Sequence, residues 1–370
     1  MMMTAAPLDL AIDIGPLYGH RTGVGVAVDG MVDALGRRDD VRLHPYLVSF
    51  RTSSGAGHRK LPLPGIVASH VWSRADVPRA DRWLGAADVV HGTNYVAPPT
   101  RHPTVISVYD CWFLANPGSA SALVRRAGAN LRRRVDDGAW IHASSTATAD
   151  QVRSLLGTDR VVTVHLGPPP TGPEPTGPLP ATLEALRGTP FVLAIGTEER
   201  RKDLPTLVAA FGHLAGEMAD VRLVLAGAPG DQSGAVDESI TALPEIVRSR
   251  VHRLGVIDDA AKTWLLRHAA VLAYPSLDEG FGFPILEAQA AGTPVVASDV
   301  GAIAEIAGPG AVLVPDRSPE GFAEHLAGVL DGSTSRLALL TAGHENHRRF
   351  SWEAAATGLV ELYRRARGDA

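Results

Sequence analysis

Lysine is scarce in this chain. It occurs only at positions 60, 202 and 262, against 32 arginines. Glutamate is absent from residues 1–170. A single cysteine, Cys111, excludes an internal disulfide framework and any site built from several thiolates. One thiol also fits a reducing compartment. Long apolar runs are missing as well: stretches such as 105–108 fall far short of the ~20 residues that a membrane span needs. Residues 1–7 have neither a basic start nor an apolar core, so no secretory signal is expected there. The net charge of −5 lacks the basic excess of a general nucleic-acid binder, and no nucleic-acid partner is expected.

What is present is ordinary for globular protein, with 45% hydrophobic and 20% charged residues in 370. That length suits two domains. Charge divides them: residues 1–170 carry 18 basic and 14 acidic side chains, residues 171–370 carry 17 and 26. Between them runs Gly167-Pro168-Pro169-Pro170-Thr171-Gly172-Pro173-Glu174-Pro175, continuing to Pro178. Proline resists helix interiors and cannot donate to a ladder, so an extended connector is expected. The division is an N-terminal domain 1–170, a linker 171–188, a second domain 189–350 and a final helix 351–370.

Both halves alternate strands and helices. In the first, 8–14 reads as a strand running into Gly15, Gly19, Gly23 and Gly25, and 26–35 as a helix. Residues 41–50, 89–90, 104–108 and 140–143 read as strands, 120–135 and 146–156 as helices. In the second, strands at 191–195, 221–226, 271–273, 295–297 and 311–314 alternate with helices at 204–217, 244–250, 259–269 and 284–291. Continuous Val, Leu, Ile and Ala runs mark strands buried on both faces, as in parallel sheets. The fold class expected is α/β, with two doubly wound, Rossmann-like sheets facing each other across a cleft where strand C-terminal ends meet ligand.

One segment carries the chemistry: Glu279-Gly280-Phe281-Gly282-Phe283-Pro284-Ile285-Leu286-Glu287. Glycines there bare the backbone, and Pro284 suits a first helical turn. A helix start favours an anion, and a carboxylate suits a vicinal diol. Either glutamate alone reads as a solvated turn residue; the pair can span one ligand. Gly196-Thr197-Glu198-Glu199-Arg200-Arg201-Lys202-Asp203-Leu204 follows the first strand of this half. By itself it is a solvated basic turn, but it holds one of only three lysines. His344 and His347 have helical spacing without a third ligand, and no metal site is expected.

These two segments resemble the retaining glycosyltransferases of the GT-B fold, in the group with an E-x7-E motif (glycosyltransferase family 4, "group 1"). Glu279 and Glu287 match that motif, with Ala290-x-Gly292-x-Pro294-Val295 in register, and 196–204 matches the family's G-T-x-E-x-R-K-[ND]-L. The resemblance implies Glu279 on the donor sugar and Glu287 on the nucleotide ribose. Gly196, Arg201 and Lys202 would meet the diphosphate, the amides of Gly280, Phe281, Gly282 and Phe283 the sugar and phosphate, and Val256 and Ile257 the base. Phe350-Ser351-Trp352 resembles the start of a last helix that crosses back to the first domain. The lysine-bearing segment resembles that of mannosyltransferase-type members, a resemblance that leans toward a GDP-mannose donor. The co-substrate would be a nucleotide-diphosphate sugar, with no cofactor and no metal, in polysaccharide biosynthesis or similar work in the cytoplasm.

The first half matches less closely. Thr22-Gly23-Val24-Gly25, preceded by Arg21, resembles a glycine-rich loop facing the donor phosphate. His91-Gly92-Thr93-Asn94 resembles a strand end lining the acceptor side. Val105 to Asp110 resembles a segment that usually ends His-Asp, but here it ends Tyr109-Asp110. A phenol is a poor base near neutral pH, with a reference pKa of ~10. Position 109 would then act by hydrogen bonding on the acceptor side, or activity would be altered. Arg125, Arg132 and Arg133 share one helical face and would contact an anionic membrane at its inner surface; the alternative is a solvated arginine face. The acceptor expected is a glycan, a lipid-linked or a small molecule. Rival readings are a nucleotide-sugar epimerase or phosphorylase on the same plan, and a catalytically degenerate sugar-nucleotide-binding protein.

Overall fold

A computed structural model describes residues 6–18, 22–48, 58–118 and 120–369. Its contacts divide the chain into two units, residues 1–169 with 350–370, and residues 170–349.

The N-terminal unit is built on β1 (Leu8–Asp13), β2 (Val41–Val48), β3 (Arg59–Leu61), β4 (Val89–Gly92), β5 (Thr104–Val108), β6 (Trp140–Ala143) and β7 (Val161–Thr163). Their order is β3-β2-β1-β4-β5-β6-β7, and the pairings are parallel. All four residues of β4 are buried, as apolar runs without alternation require of a strand covered on both faces. The edge strands β3 and β7 escape the sequence pattern because each has only three residues. Residues 49 and 50 of the expected second strand lie outside the described residues, as do Gly19 and Arg21. The first helix is Gly23–Gly36, beginning three residues earlier than expected. Thr22 caps it, its hydroxyl accepting the Gly25 N–H at 3.4 Å. Gly23 and Gly25 therefore form the first helical turn rather than a loop before it.

The final helix, Trp352–Arg367, belongs to this unit. Trp352 donates its indole N–H to Pro168 O at 2.9 Å, and its ring lies where any side chain at Gly30 would stand. Deeper in, Tyr363 closes a buried chain of hydrogen bonds with one possible direction. His142 must donate Nε2–H to the Val164 carbonyl, 2.9 Å away. Its Nδ1 then accepts from Ser107 at 2.8 Å. Ser107 Oγ accepts from His91 Nε2 at 2.8 Å, and His91 Nδ1 accepts from the Tyr363 hydroxyl at 2.8 Å. Both histidines are neutral. Burial lowers His142 to about 4 and His91 well below its ordinary value.

The C-terminal unit holds β8 (Phe191–Ile195), β9 (Arg222–Ala226), β10 (Val251–Gly255), β11 (Val271–Tyr274), β12 (Val295–Ser298) and β13 (Val312–Val314). The order is β10-β9-β8-β11-β12-β13, again parallel. The segment expected as a linker over 171–188 is part of this unit. Leu183 and Leu186 are buried among Phe191, Trp264 and Leu265, with Leu179 against them, and Glu174 pairs with Arg267 at 3.1 Å. Three leucines within eight residues give that stretch apolar surface to bury, which its prolines obscure. Helices Ser233–Ala242, Gly301–Ala307, Pro319–Leu330 and Arg336–His347 join the unit without having been expected.

Candidate functional site

Each sheet reverses its strand order once: between β1 and β4 in the first, between β8 and β11 in the second. Connections leave such a pair of strands in opposite directions and open a crevice at their C-terminal ends. In the C-terminal unit the two segments singled out from sequence leave that point. Residues 196–203 follow β8, and residues 275–282 follow β11.

They meet through their charges. Glu279 is buried, 8% exposed, and both its oxygens are held. Lys202 donates Nζ–H to Oε1 at 2.5 Å, and Arg201 pairs with Oε2. Arg201 is steadied in turn by Glu199, Nε to Oε2 at 2.9 Å. Lys202, 9% exposed, also donates to the Tyr274 hydroxyl at 2.9 Å, and its ammonium lies 4.6 Å from that ring centre. An ammonium has three N–H donors, and these bonds take two. Burial alone would raise the Glu279 pKa. The Lys202 and Arg201 charges outweigh it and hold the carboxyl down at about 2, so it is ionised at any physiological pH. Burial lowers the Lys202 pKa, and the Glu279 charge opposes that shift. Gly196 packs on the Lys202 stem, with the position of a Cβ 3.1 Å from Cε.

After Glu279 the chain passes Gly280 and Phe281 to Gly282, whose φ of 99° only glycine adopts readily. Gly282 caps the helix Phe283–Ala291 without a side chain, so the positive end of the helix dipole faces the loop. The Phe281 and Phe283 rings meet edge-on at 5.3 Å, which leaves backbone rather than ring polarity to define this turn. Glu287 lies one turn further along the helix. It does not reach the Glu279 cluster; its partner is Lys262, Nζ to Oε1 at 2.6 Å. Lys262 stands in the helix Asp259–His268, capped by Asp258, whose carboxylate accepts the Ala261 N–H at 2.7 Å. Val256 and Ile257 precede that cap directly; Val256 is 63% exposed and Ile257 packs into the core. Lys262 therefore ties the expected ribose carboxylate to the element that carries the expected base loop. It was missed from sequence, although the scarcity of lysine was the available signal: two of the chain's three lysines pair with the two glutamates of the motif.

The N-terminal unit rearranges its expected site residues. His91, expected to line the acceptor side, is buried with both ring nitrogens taken by the Ser107 and Tyr363 bonds, because it lies within β4 and not beyond it. Asn94 is exposed. Tyr109 is 7% exposed and donates its hydroxyl to Thr93 O at 2.8 Å; burial pushes its pKa further above the ordinary phenol value. It is a strand-end brace, unsuited to be a base. Asp110 accepts from the Tyr95 hydroxyl and the Trp112 N–H, both at 3.1 Å, and so shapes its own turn. The basic face is broken up: Arg133 pairs with Asp76 at 2.9 Å, Arg132 donates to Leu155 O at 3.1 Å, and Arg125 bonds Ala120 O. Among the described residues no helix is long and apolar enough to cross a membrane.

Residues 189–332 match the family model described as "Glycosyl transferases group 1". The chain is 27% identical over 287 residues to O-antigen chain mannosyltransferase B of Escherichia coli, covering 75% of this chain and 74% of that protein. It is 32% identical over 181 residues to phosphatidyl-myo-inositol mannosyltransferase of Mycolicibacterium smegmatis, covering 48% of this chain and 45% of that one. Less than half of the latter's length is thus matched. Among solved structures, sucrose-phosphate synthase from Thermosynechococcus elongatus superposes with a TM-score of 0.73 at 18% identity, over 98% of this chain and 100% of that one.

Proposed function

We propose that this chain, whose residues 189–332 match the group 1 glycosyl transferases and whose two sheets follow the GT-B plan, is a retaining glycosyltransferase drawing on a nucleotide-diphosphate sugar. The observation that carries the proposal is the grip of Arg201 and Lys202 on Glu279 at the strand-order reversal of the C-terminal sheet. Donor sugar hydroxyls would bond Glu279. The diphosphate would take the remaining Lys202 N–H, the Arg201 charge and the backbone of Gly280 to Phe283 beside Gly196. The ribose diol would meet Glu287, and the base would lie along Val256 and Ile257.

The chemistry follows from charge. A leaving diphosphate gathers negative charge as the glycosidic bond breaks, and fixed cations that need no reorganisation lower that barrier. Arg201 and Lys202 take this role, without a metal. Glu279 is a poor nucleophile, since it is strongly acidic and both its oxygens are engaged. That supports attack by the acceptor on the same face that the leaving group quits, with a phosphate oxygen taking the acceptor proton. A GDP-mannose donor is favoured by the mannosyltransferase names of two relatives. The acceptor, a glycan, a lipid-linked or a small molecule, would bind the N-terminal unit. A sugar-nucleotide-binding protein without turnover is the second reading, favoured by the commitment of the Tyr109 hydroxyl to Thr93.

Calorimetric titration with GDP, UDP and ADP tests the site. Binding of at least one, weakened about tenfold or more by Glu287→Ala, is expected, the worth of one charge-assisted hydrogen bond. A wild-type chain that ignores all three would overturn the proposal. Transfer or slow hydrolysis of GDP-mannose then separates the enzyme from the silent binder.

A further inference from the structure

Shortly before Arg201, in the same turn after β8, stands a second buried glutamate. Glu198 is 3% exposed, and its carboxylate is gripped by Arg253 of β10. Arg253 donates Nε–H to Oε1 at 2.5 Å and Nη2–H to Oε2, the two-pronged geometry of a guanidinium on a carboxylate. The Ser233 hydroxyl donates to Oε2 at 2.5 Å, and the Arg253 Nη1–H goes to Asp237. Ser233 and Asp237 both stand in the helix Ser233–Ala242, which follows β9. Hydrogen bonding from Arg253 holds the Glu198 carboxyl below its ordinary range, against the opposing effect of burial.

The backbone repeats this lacing. The Glu198 N–H donates to Ala228 O at 3.0 Å, its carbonyl accepts the Gln232 N–H at 2.9 Å, and the Gly227 N–H donates to Gly255 O at 2.8 Å. A side chain at Gly227 would strike Gly196 O, and one at Gly230 would strike Glu198 O. The loops beyond β8, β9 and β10 are thus closed on one another, and the Glu198–Arg253 pair joins the first to the third. What those two loops carry gives the pair its interest. Arg201 and Lys202 follow Glu198 within the same turn. After Arg253 the register of β10 shifts, Gly255 turns at a φ of 66°, and Val256 and Ile257 come next.

We propose that Arg253 is a positioning residue: through Glu198 it sets Arg201 and Lys202 relative to the loop 255–258, so that a nucleotide whose base lies on that loop presents its terminal phosphate to the two cations. The inference rests on the donor reading above. A buried ion pair does little for stability that apolar side chains of similar volume could not do. What it adds is fixed geometry, and a displacement of about 1 Å can cost a reaction about 100-fold in rate. With the turn held in this way, binding of the base contributes at the leaving group, remote from the base itself.

Arg253→Lys keeps the charge but loses the two-pronged fork, and Arg253→Met removes the pair. Titration of the full chain with GDP and GMP, UDP and UMP, and ADP and AMP compares each diphosphate with its monophosphate. For whichever nucleotide binds, the preference for the diphosphate should shrink about tenfold in Arg253→Met and by less in Arg253→Lys, with monophosphate affinity little changed. Amide hydrogen exchange without ligand, followed by mass spectrometry, should quicken over residues 197–203 in both variants. A lowered melting temperature with the diphosphate preference intact would mark a merely structural pair and overturn the proposal, as would unchanged exchange over 197–203. A wild type that binds no nucleotide sinks the donor reading and the positioning role with it, whereas an intact preference in the variants sinks the positioning role alone.

Discussion

At the scale of single residues, two of the chain's three lysines are committed to two carboxylates. Lys202 shares Glu279 with the Arg201 guanidinium and also donates to the Tyr274 phenol, whereas Lys262 is the partner of Glu287 among the described residues. An ion pair that orients a ligand-binding carboxylate is worth more to binding than to folding when it is partly exposed. Lys262→Met is therefore expected to weaken nucleotide binding by about tenfold, roughly 1.4 kcal/mol, while leaving the melting temperature little changed. Lys262→Arg should recover part of the loss. Equal affinities across wild type, Met and Arg, measured by titration with GDP, would show that Glu287 needs no such support.

At the scale of elements, the Trp352–Arg367 helix docks on the N-terminal sheet through a polar contact that acid should loosen. His91 and His142 have lowered folded pKa values, against about 6.5 in the unfolded chain. Below pH 6.5 the unfolded state takes up protons that the folded state refuses. Stability is then complete above 6.5 and declines as pH falls toward 4, by roughly 3 kcal/mol for His142 if the full shift applies. Asp13 has the opposite sign: its raised folded pKa penalises the native state above about 6, and that penalty is relieved in acid. The histidine effect should therefore stand out in Asp13→Asn, as a melting temperature that drops between pH 6.5 and 4.5 more steeply than in wild type. An identical pH dependence in both would refute this account.

Much of this was legible from residues. The alternating βα pattern, the E-x7-E spacing and the basic turn at 200–202 picked out two segments that the fold puts beyond the ends of β8 and β11, because glycine, proline and charge announce such turns locally. The N-terminal site was harder. His91 resembles a site residue in a linear reading, yet one step of register puts it inside the sheet against Tyr363, 272 positions away. Asp13 gave no signal, since its burial at a strand end is visible only in the fold. Leu179, Leu183 and Leu186 were hidden among prolines that look like a spacer.

At the scale of the whole molecule, two sheets of similar plan carry different charge chemistry. In the second, Glu279 and Glu287 are each paired with a lysine; in the first, the Asp13 carboxylate accepts the Gly15 N–H and burial raises its pKa. Ligands should act on them separately. Scanning calorimetry is expected to show a nucleoside diphosphate raising the transition of the 170–349 unit, by the mass-action stabilisation that any native-state ligand confers. Removal of residues 350–370 should instead lower the transition of the N-terminal unit. A nucleotide that shifted only the transition sensitive to that truncation would place its site on the other sheet.

The discontinuity of the first unit also bears on biosynthesis. Residues 170–349 are contiguous, so all of them are synthesised before the helix that covers His91 and Gly30. The earliest-made sheet must wait, with that seam bare, while the later-made one folds. A fragment ending before Phe350 would hold all of the second unit but lack the helix that closes the first.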